Sequence, residues 1–200
     1  MVEYNVAVMG ATGAVGEVML EILSQRSFPI GELRLLASNR SAGKILKFCD
    51  KQIVVQELKE TSFEGIDIVL ASAGGSLSKK FNPHAVAAGA VVIDNTSAYR
   101  MDSDVPLVVP EINPRDLSWH KGIIANPNCS TIIMDVVVWP LYKRCKIKRI
   151  VASTYQAVSG AGARAMEELN LQTRQLLAGE SITPKELPHQ IAFNLFSHNS

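Results

Sequence analysis

The sequence is poor in cysteine, and the few cysteines it has cannot form a regular framework. Its three cysteines, Cys49, Cys129 and Cys145, cannot all pair within one chain of 200 residues. Their spacing also lacks the CxxC repeat that is typical of structural zinc sites. We therefore expect neither a disulfide scaffold nor a metal centre, and at least one thiol must be free.

Net charge and long apolar runs are also lacking. Lysine and arginine number 20 against 19 acidic residues, which leaves a formal net charge of +1, so no overall field would hold nucleic acid or an anionic membrane. No apolar run approaches the roughly 20 residues of a membrane helix, and the opening Met1-Val2-Glu3-Tyr4 lacks the pattern of a secretory signal. We expect a globular cytoplasmic protein whose partners are small molecules or proteins, with neither nucleic acid nor a membrane among them.

The chain opens with a pattern that predicts a strand, a glycine turn and a helix. The apolar run 5–9 is typical of a strand buried on both faces, and Gly10, Gly13 and Gly16 follow it. Glycine allows a ligand to approach the backbone closely, and the N–H groups of a first helical turn attract an anion such as pyrophosphate. The bare GxxGxxG pattern also fits a simple turn before a helix, but its context favours a dinucleotide site.

The loop after the second predicted strand indicates which dinucleotide is bound. Strand 33–38 ends where an NAD-binding fold would place an acidic residue against the ribose hydroxyls. Here the loop offers Ser38, Arg40 and Ser41 instead. A guanidinium and two hydroxyls attract a 2′-phosphate, so the loop predicts NADP. The alternative is a solvated polar loop without a ligand.

Strands and helices continue to alternate through the first part of the chain. Further strands are predicted at 66–72, 90–94, 105–109 and 122–125. Because ligands of doubly wound sheets bind beyond the carboxyl ends of the strands, the polar loops 73–76 and 95–97 should face the same crevice as the glycine turn. The predicted fold class is therefore α/β, a doubly wound, mostly parallel Rossmann-type dinucleotide-binding domain.

Cys129 follows Asn126-Pro-Asn and precedes an apolar segment, 132–141, which can be a buried helix. A thiol in the first turn of that helix would lie at the positive end of the helix dipole, where the nucleophilic thiolate is favoured. Free cysteines are commonly inert filler, and we interpret Cys49 and Cys145 as filler or surface residues. For Cys129 we predict catalysis.

Beyond this helix the pattern predicts the start of a second domain. A strand at 151–155, a glycine turn and a helix at 163–177 follow one another, so we place domain boundaries at 1–128 and 129–200. A basic cluster precedes the strand and consists of Lys143, Arg144, Lys146, Lys148 and Arg149. It has no interleaved aromatic residues, so a solvated edge is favoured over a nucleic-acid patch.

Seven segments together resemble the aspartate-β-semialdehyde dehydrogenase family almost end to end. They are Gly10-Ala-Thr-Gly-Ala-Val-Gly16, Ser38-Asn-Arg-Ser-Ala-Gly-Lys44, Asp94-Asn-Thr-Ser-Ala-Tyr-Arg100, Val109-Pro-Glu-Ile-Asn113, Asn126-Pro-Asn-Cys-Ser-Thr131, Thr154-Tyr-Gln-Ala-Val-Ser-Gly-Ala-Gly162 and Phe193-Asn-Leu-Phe-Ser-His-Asn199. The resemblance implies an NADP-dependent enzyme of lysine, threonine and methionine biosynthesis, and a second domain, α+β, for catalysis and dimerisation.

The resemblance also implies roles for individual residues. Cys129 would be the nucleophile that forms an acyl intermediate, Gln156 would position the substrate, aspartate semialdehyde, and Arg100 would bind phosphate. NADP would contact residues of two glycine turns and of the loop after the second strand, namely Gly10, Thr12, Gly13, Ala14, Val15, Ser38, Arg40, Ser41, Ser159 and Gly160. The family forms dimers or tetramers, so a homodimer or homotetramer is expected.

The chain departs from the family in length. Family members continue past residue 200, and their later residues supply the histidine general base, a substrate-binding arginine and further phosphate ligands. The histidines of this chain do not match the base motif and are interpreted as surface or packing residues: His84, His120, His189 and His198. Two alternatives stay open, the related N-acetyl-glutamyl-phosphate reductase and a truncated, non-catalytic paralogue.

Overall fold

The computed structural model describes residues 2–197 of the chain. It divides into two compact units, Met1–Ala152 and Ser153–Ser200. The helix that begins at Cys129 belongs to the first unit. The domain boundary expected after residue 128 stays a prediction.

The first unit is built from strands and helices. In chain order its elements are β1 (Tyr4–Met9), α1 (Ala14–Gln25), β2 (Ile30–Ala37), β3 (Ile45–Phe48), β4 (Lys51–Val54), β5 (Gln56–Glu57), β6 (Ile68–Ala71), α2 (Gly75–Ala87), β7 (Val91–Asp94), β8 (Ile123–Ala125) and α3 (Cys129–Cys145). Short 3-10 turns lie at Asn39–Ser41 and Pro114–Trp119. The second unit contains a 3-10 turn at Val158–Ala161 and α4 (Ala163–Leu177).

Six strands form one sheet in the order β5-β2-β1-β6-β7-β8, and every pairing in it is parallel. Val8 of β1 lies opposite Leu35 on one side and Leu70 on the other. The chain therefore runs outward from β1 to one edge and then returns to fill the other side, which is the order of a doubly wound Rossmann fold. This confirms the predicted fold class.

Successive residues of the central strands enter two separate cores, as the period of a strand requires. Ala7 and Met9 join the cluster that contains Phe81 of α2. Val8, between them, joins the cluster that contains Leu20 of α1. The two helices thus cover opposite faces of the sheet, and strands buried on both faces explain the uninterrupted apolar runs in the sequence.

Two predicted strands are wrong. Segment 105–109 forms only an isolated bridge, between Leu107 and Ala125, because Pro106 has no N–H to donate and interrupts the ladder. Segment 151–155 has no regular structure and is exposed throughout. A strand needs hydrogen-bonding neighbours, and within the described residues no strand pairs with this segment.

Helix α3 begins at Cys129, as predicted, but it is not the buried helix that its apolar composition suggests. Within the described residues none of its side chains is buried, and Ile133 and Val137 are 69% and 65% exposed. Apolar composition records what a helix can bury, whereas burial requires a surface that packs against it.

The hairpin formed by β3 and β4 was not predicted. Its turn contains Cys49, a non-glycine residue with a φ of 52°, and the Cys49 thiol lies 3.2 Å from Ser24 Oγ. The thiol is exposed, as expected of a surface cysteine. Among the described helices none is both long and apolar enough to cross a membrane.

Candidate active site

Five loops of the first unit follow the carboxyl ends of parallel strands and therefore lie along one edge of the sheet. They are loop 10–13 after β1, loop 38–41 after β2, loop 72–74 after β6, loop 95–100 after β7 and loop 126–128 after β8. The topology thus brings four predicted features to the carboxyl ends of these strands. They are the glycine turn, the loop after β2 that is predicted to bind a 2′-phosphate, Arg100 and Cys129.

The glycine turn after β1 has no space for side chains. Gly10 has a φ of 93°, and a Cβ there would lie 3.0 Å from the backbone of Ala73 in the loop after β6. A Cβ on Gly16 would collide with the carbonyl oxygen of Gly10 and lie 2.8 Å from Ala11 Cα. These two glycines supply the tight turn and the close contact between helix and strand that a dinucleotide fold requires.

The first turn of α1 presents its backbone N–H groups without competition from a side chain. Gly13 is the N-cap residue and provides no side-chain cap. The N–H groups of Ala14 and Val15 have no acceptor within the helix, because the first amides of any helix lack one. Thr12 is half-buried beside them. This arrangement fits the pyrophosphate of a dinucleotide.

The loop after β2 is exposed and rich in donors. Ser38 caps the 3-10 turn Asn39–Ser41, whose Ser41 N–H donates to Ser38 O over 2.8 Å. Arg40 is exposed and has no hydrogen bond or ion pair with any described residue. Glu57, at the end of the neighbouring strand β5, is paired with Lys59 at 3.0 Å, and the hydrogen bond from Lys59 lowers the pKa of Glu57. The Arg40 guanidinium is therefore available to an anion.

Cys129 is the first residue of α3 and its side chain is exposed. The residue before it, Asn128, caps the helix: its side-chain oxygen accepts from Ser130 N over 2.9 Å. The chain reaches this position directly from β8, where Asn126 N donates to Asp94 O over 2.8 Å. The thiol therefore stands at a capped helix N-terminus, anchored to the edge of the sheet, where the helix dipole favours an anion.

Arg100 is half-buried and joins loop 95–100 to the segment before Cys129. Its Nε donates to Asn126 O over 2.9 Å and its Nη2 to Asn95 O over 3.1 Å. Nη1 has no protein partner within the described range 2–197. A guanidinium held at two nitrogens by main-chain carbonyls, with the third left unpaired among the described residues, is suited to binding an oxyanion.

Sequence reasoning missed the polar groups beneath this loop. Asp94, at the end of β7, is 0% exposed and accepts from Asn82 Nδ2 over 2.6 Å. Tyr99 is 7% exposed, and burial raises its pKa, with the Asp94 and Asp102 carboxylates adding to the effect. The available signal was an aspartate at the end of an otherwise apolar strand, because a carboxylate in a core requires partners.

Three predicted site residues belong to the second unit. Gln156 and Ser159 are exposed, and Gly160 lies in the 3-10 turn Val158–Ala161. A Cβ added to Gly160 would collide with the Gln156 amide. The side chain of Gln156 thus folds over the turn, and glycine is required at position 160 for that arrangement.

None of the described histidines lies among the groups at the sheet edge. His84 Nε2 is 3.9 Å from Glu60, His120 Nδ1 accepts from Gly122 N over 3.0 Å, and His189 packs edge-on against Phe196. His198 lies outside the described residues. In the part of the chain that the structure describes, no group of three or more His, Cys, Asp or Glu residues is arranged to hold a metal ion.

Two models of known protein families match the chain. The family model "Semialdehyde dehydrogenase, NAD binding domain" matches residues 5–120, and "Semialdehyde dehydrogenase, dimerisation domain" matches residues 138–200. The chain belongs to the semialdehyde dehydrogenase family. Residues 5–120 therefore belong to a nicotinamide dinucleotide-binding domain, and residues 138–200 belong to a dimerisation domain.

Known members of the family resemble the chain closely. An aspartate-semialdehyde dehydrogenase of Synechocystis is 55% identical over 196 residues, which cover 98% of this chain and 58% of the relative. The crystal structure of aspartate semialdehyde dehydrogenase II from Vibrio cholerae, complexed with ASA, has a TM-score of 0.93 and 51% identity, over 97% of this chain and 58% of that one.

A more distant structure includes a cofactor. The Candida albicans aspartate semialdehyde dehydrogenase with NADP has a TM-score of 0.62 at 31% identity, covering 72% of this chain and 48% of that one. The chain spans 58% of the length of its Synechocystis relative.

Proposed function

We propose that the protein is an NADP-dependent oxidoreductase that interconverts aspartyl phosphate and aspartate semialdehyde through a cysteine thioester. The observation that carries the proposal is the position of Cys129, an exposed thiol on the first residue of α3, at the same sheet edge as the glycine turn. The names of the similar family members support the four-carbon substrate over the acetylglutamyl analogue.

The residues of the first unit fit the proposed cofactor. Gly10 and Gly13 would let the pyrophosphate approach the backbone, and the N–H groups of Ala14 and Val15 would donate to it, with Thr12 alongside. When bound, the nicotinamide ring supplies a hydride acceptor or donor. Ser159 and Gly160, in the second unit, are proposed to complete the cofactor contacts.

The loop after β2 supports NADP over NAD. Arg40 and the hydroxyls of Ser38 and Ser41 can bind a 2′-phosphate, which carries two negative charges at neutral pH. Loop 38–44 contains no carboxylate that would repel it. In this proposal the preference for NADP over NAD depends mainly on the exposed Arg40 guanidinium.

In the oxidative direction Cys129 acts as the nucleophile. Its thiolate adds to the aldehyde carbon of aspartate semialdehyde and holds it as a hemithioacetal. Loss of the hydroxyl proton and of a hydride from that carbon leaves a thioester on Sγ. Attack by phosphate on the thioester carbon forms aspartyl phosphate and returns Cys129 as a thiolate. The reductive direction reverses each of these steps.

Two polar side chains are proposed to orient the reactants. Arg100 would bind phosphate, or the phosphoryl group of aspartyl phosphate, through Nη1, which has no partner among the described residues. Gln156 would bind the substrate through an amide that both donates and accepts without titrating. The general base, a substrate-binding arginine and further phosphate ligands are proposed to lie in the part of the family's length that this chain does not span.

A homodimer or homotetramer is proposed as the working assembly. The match of residues 138–200 to a dimerisation domain supports it. The exposed apolar residues of α3, Ile133 and Val137 among them, are a surface that such an assembly could cover.

The test is phosphate-dependent formation of NADPH from aspartate semialdehyde, compared with the N-acetylglutamate analogue. The proposal predicts NADPH formation only when phosphate is present, with the aspartyl substrate preferred. Preference for the acetylglutamyl substrate would favour the alternative reductase. NADP binding without turnover of either aldehyde would favour the non-catalytic paralogue.

A further inference from the structure

A pair of buried polar side chains lies beneath the loop that carries Arg100. Asp94 and Asn82 are both 0% exposed, and Asn82 Nδ2 donates to Asp94 Oδ2 over 2.6 Å. The second carboxylate oxygen of Asp94 accepts from Thr96 N over 2.6 Å. A buried carboxylate is tolerated only when its oxygens are hydrogen-bonded. Each oxygen of Asp94 thus fixes one neighbour, α2 on one side and loop 95–100 on the other.

Helix α2 holds the same loop at two further points. Thr96 Oγ1 donates to Ser78 Oγ over 3.2 Å and accepts from Ala98 N over 3.2 Å. Tyr99 OH donates to Ser78 O over 3.4 Å. Burial raises the pKa of Tyr99, with the nearby carboxylates adding to the effect, and the protonated phenol donates this hydrogen bond. The loop is thereby fastened to α2 before it reaches Arg100.

The fixed contacts of Arg100 all lead back to Asp94. The acceptor of Arg100 Nη2 is Asn95 O, which belongs to the residue after Asp94. The acceptor of Nε is Asn126 O, and Asn126 N in turn donates to Asp94 O over 2.8 Å. Asn126 Nδ2 also donates to Asn95 Oδ1 over 2.6 Å. Displacing the main chain at Asp94 would therefore move both carbonyls that hold the guanidinium.

A contribution to stability does not explain why Asn82 and Asp94 are buried together. Asn82 Oδ1 is buried and has no hydrogen-bond partner within residues 2–197, and a buried acceptor without a donor destabilises the fold. Two apolar side chains of similar volume could fill the same space without that cost. They could not supply an acceptor for Thr96 N, which is the contact that sets the start of the loop.

We propose that Asp94 and Asn82 are positioning residues for Arg100, which hold its guanidinium against Asn95 O and Asn126 O so that Nη1 faces phosphate. The inference rests on the proposed function, in which Arg100 binds phosphate. Neither residue contacts the substrate in this account, so both act only through the loop.

Exchanging the two side chains tests the proposal. Asn82→Asp alone places two carboxylates against each other, which should displace the loop. Asp94→Asn alone is expected to be milder, because Asn82 can turn its orphaned Oδ1 toward the new amide. The double variant, Asn82→Asp with Asp94→Asn, restores one carboxylate and one amide in reversed order and should recover the loop.

The measurement is the Kd of inorganic phosphate for the NADPH-bound protein, alongside the Kd of NADPH. Asn82→Asp should weaken phosphate about tenfold and the double variant should return it to within about threefold of the original. NADPH affinity should stay within about twofold throughout, which general structural damage would not allow. If Asn82→Asp does not fold, the double variant should recover both the fold and phosphate binding, and failure of that recovery would overturn the proposal.

Arg100→Ala separates the phosphate role of Arg100 from the positioning role of Asp94 and Asn82. If Arg100→Ala leaves phosphate binding unchanged, the phosphate role of Arg100 fails, and this inference fails with it. If Arg100→Ala loses phosphate binding, three results would overturn only the positioning role. They are no loss of phosphate binding in Asn82→Asp, no recovery in the double variant, or an equal loss of NADPH affinity.

Discussion

The two units of the chain hold their proposed site residues in different ways. In the first unit, Cys129 begins α3 directly after the loop that follows β8, and Arg100 lies in the loop after β7, where two main-chain carbonyls hold its guanidinium. In the second unit, Gln156 lies in an exposed segment with no regular structure, beside the 3-10 turn Val158–Ala161. There the buried polar groups of α4 bind a different segment, 185–192, rather than the candidate site.

Glu168 and Gln172 show how the second unit is organised. The Glu168 carboxylate accepts from the backbone N–H groups of Lys185, Glu186 and Leu187 at 2.5, 3.0 and 2.9 Å. Gln172 Oε1 accepts from the N–H groups of Ile191 and Ala192 at 2.9 and 3.2 Å. The difference teaches that substitutions in the first unit should affect chemistry and binding, whereas those on α4 should affect folding.

The largest effect is expected from Cys129→Ser. A hydroxyl is a far weaker nucleophile than a thiolate, so turnover should fall by more than about 10³-fold while NADP binding and stability stay unchanged. The matched control is Cys145→Ser, which alters an exposed thiol at the other end of the same helix and should leave turnover intact. Substantial activity in Cys129→Ser, measured as NADPH formation, would contradict the nucleophile assignment.

The opposite pattern is expected from Glu168→Ala, which should destabilise the protein by about 3 kcal/mol, because three backbone donors lose their acceptor. Its control is Glu167→Ala, which removes the neighbouring carboxylate from an exposed position and should change stability by less than about 0.5 kcal/mol. Urea unfolding followed by circular dichroism measures both. Equal effects would show that the contacts of Glu168 do not hold segment 185–192.

The Glu168 carboxylate also predicts that the second unit loses stability at low pH. Burial opposes ionisation of Glu168, but its backbone hydrogen bonds from Lys185, Leu187 and Glu186 outweigh burial and hold its pKa below the ordinary value. A depressed folded pKa stabilises the fold above the unfolded pKa, about 4.3. That stability is lost as the pH falls through the folded value. Glu168→Gln should flatten this part of the unfolding curve, and an unchanged pH profile would contradict the assignment.

A smaller effect should follow from Arg40→Asp, which tests cofactor choice in the first unit. Replacing the guanidinium with a carboxylate should weaken NADP by about 30-fold and NAD by less than about twofold. Lys51→Asp makes the same charge change at an exposed position of the hairpin and should alter neither affinity. Equal losses of NADP and NAD in titrations would contradict the 2′-phosphate role.

The smallest effect is expected from Gly160→Ala in the second unit. The new methyl group would displace the Gln156 amide and should raise the KM for aspartate semialdehyde about fivefold. In a Gln156→Ala background the same change should add nothing, because the displaced group is already absent. Additive effects of the two substitutions on KM would contradict the prediction that Gly160→Ala acts by displacing Gln156.

The sheet was predictable because its signals are local. Apolar runs, each ending at glycine or a polar loop, identified β1, β2, β6, β7 and β8, and the residues at their ends follow from parallel topology. The helix start at Cys129 was likewise visible from the polar residues before an apolar run. Burial on two faces leaves a clear record in sequence.

The remaining features depend on contacts between distant residues. The partnership of Asn82 with Asp94 joins a helix to a strand, and neither residue type alone predicts it. Segment 151–155 has the composition of a strand without a strand partner among the described residues, and α3 has an apolar surface without a cover there. Composition predicts what a segment can do, whereas its neighbours decide what it does.

The central claim is that the helix start activates Cys129, and alkylation by iodoacetamide at neutral pH tests it most directly. All three cysteines are exposed, so mass spectrometry of the modified chain compares them within one sample. The account predicts that Cys129 reacts at least about tenfold faster than Cys49, Cys145 or free cysteine. Reaction of Cys129 at the same rate as the other two would contradict it.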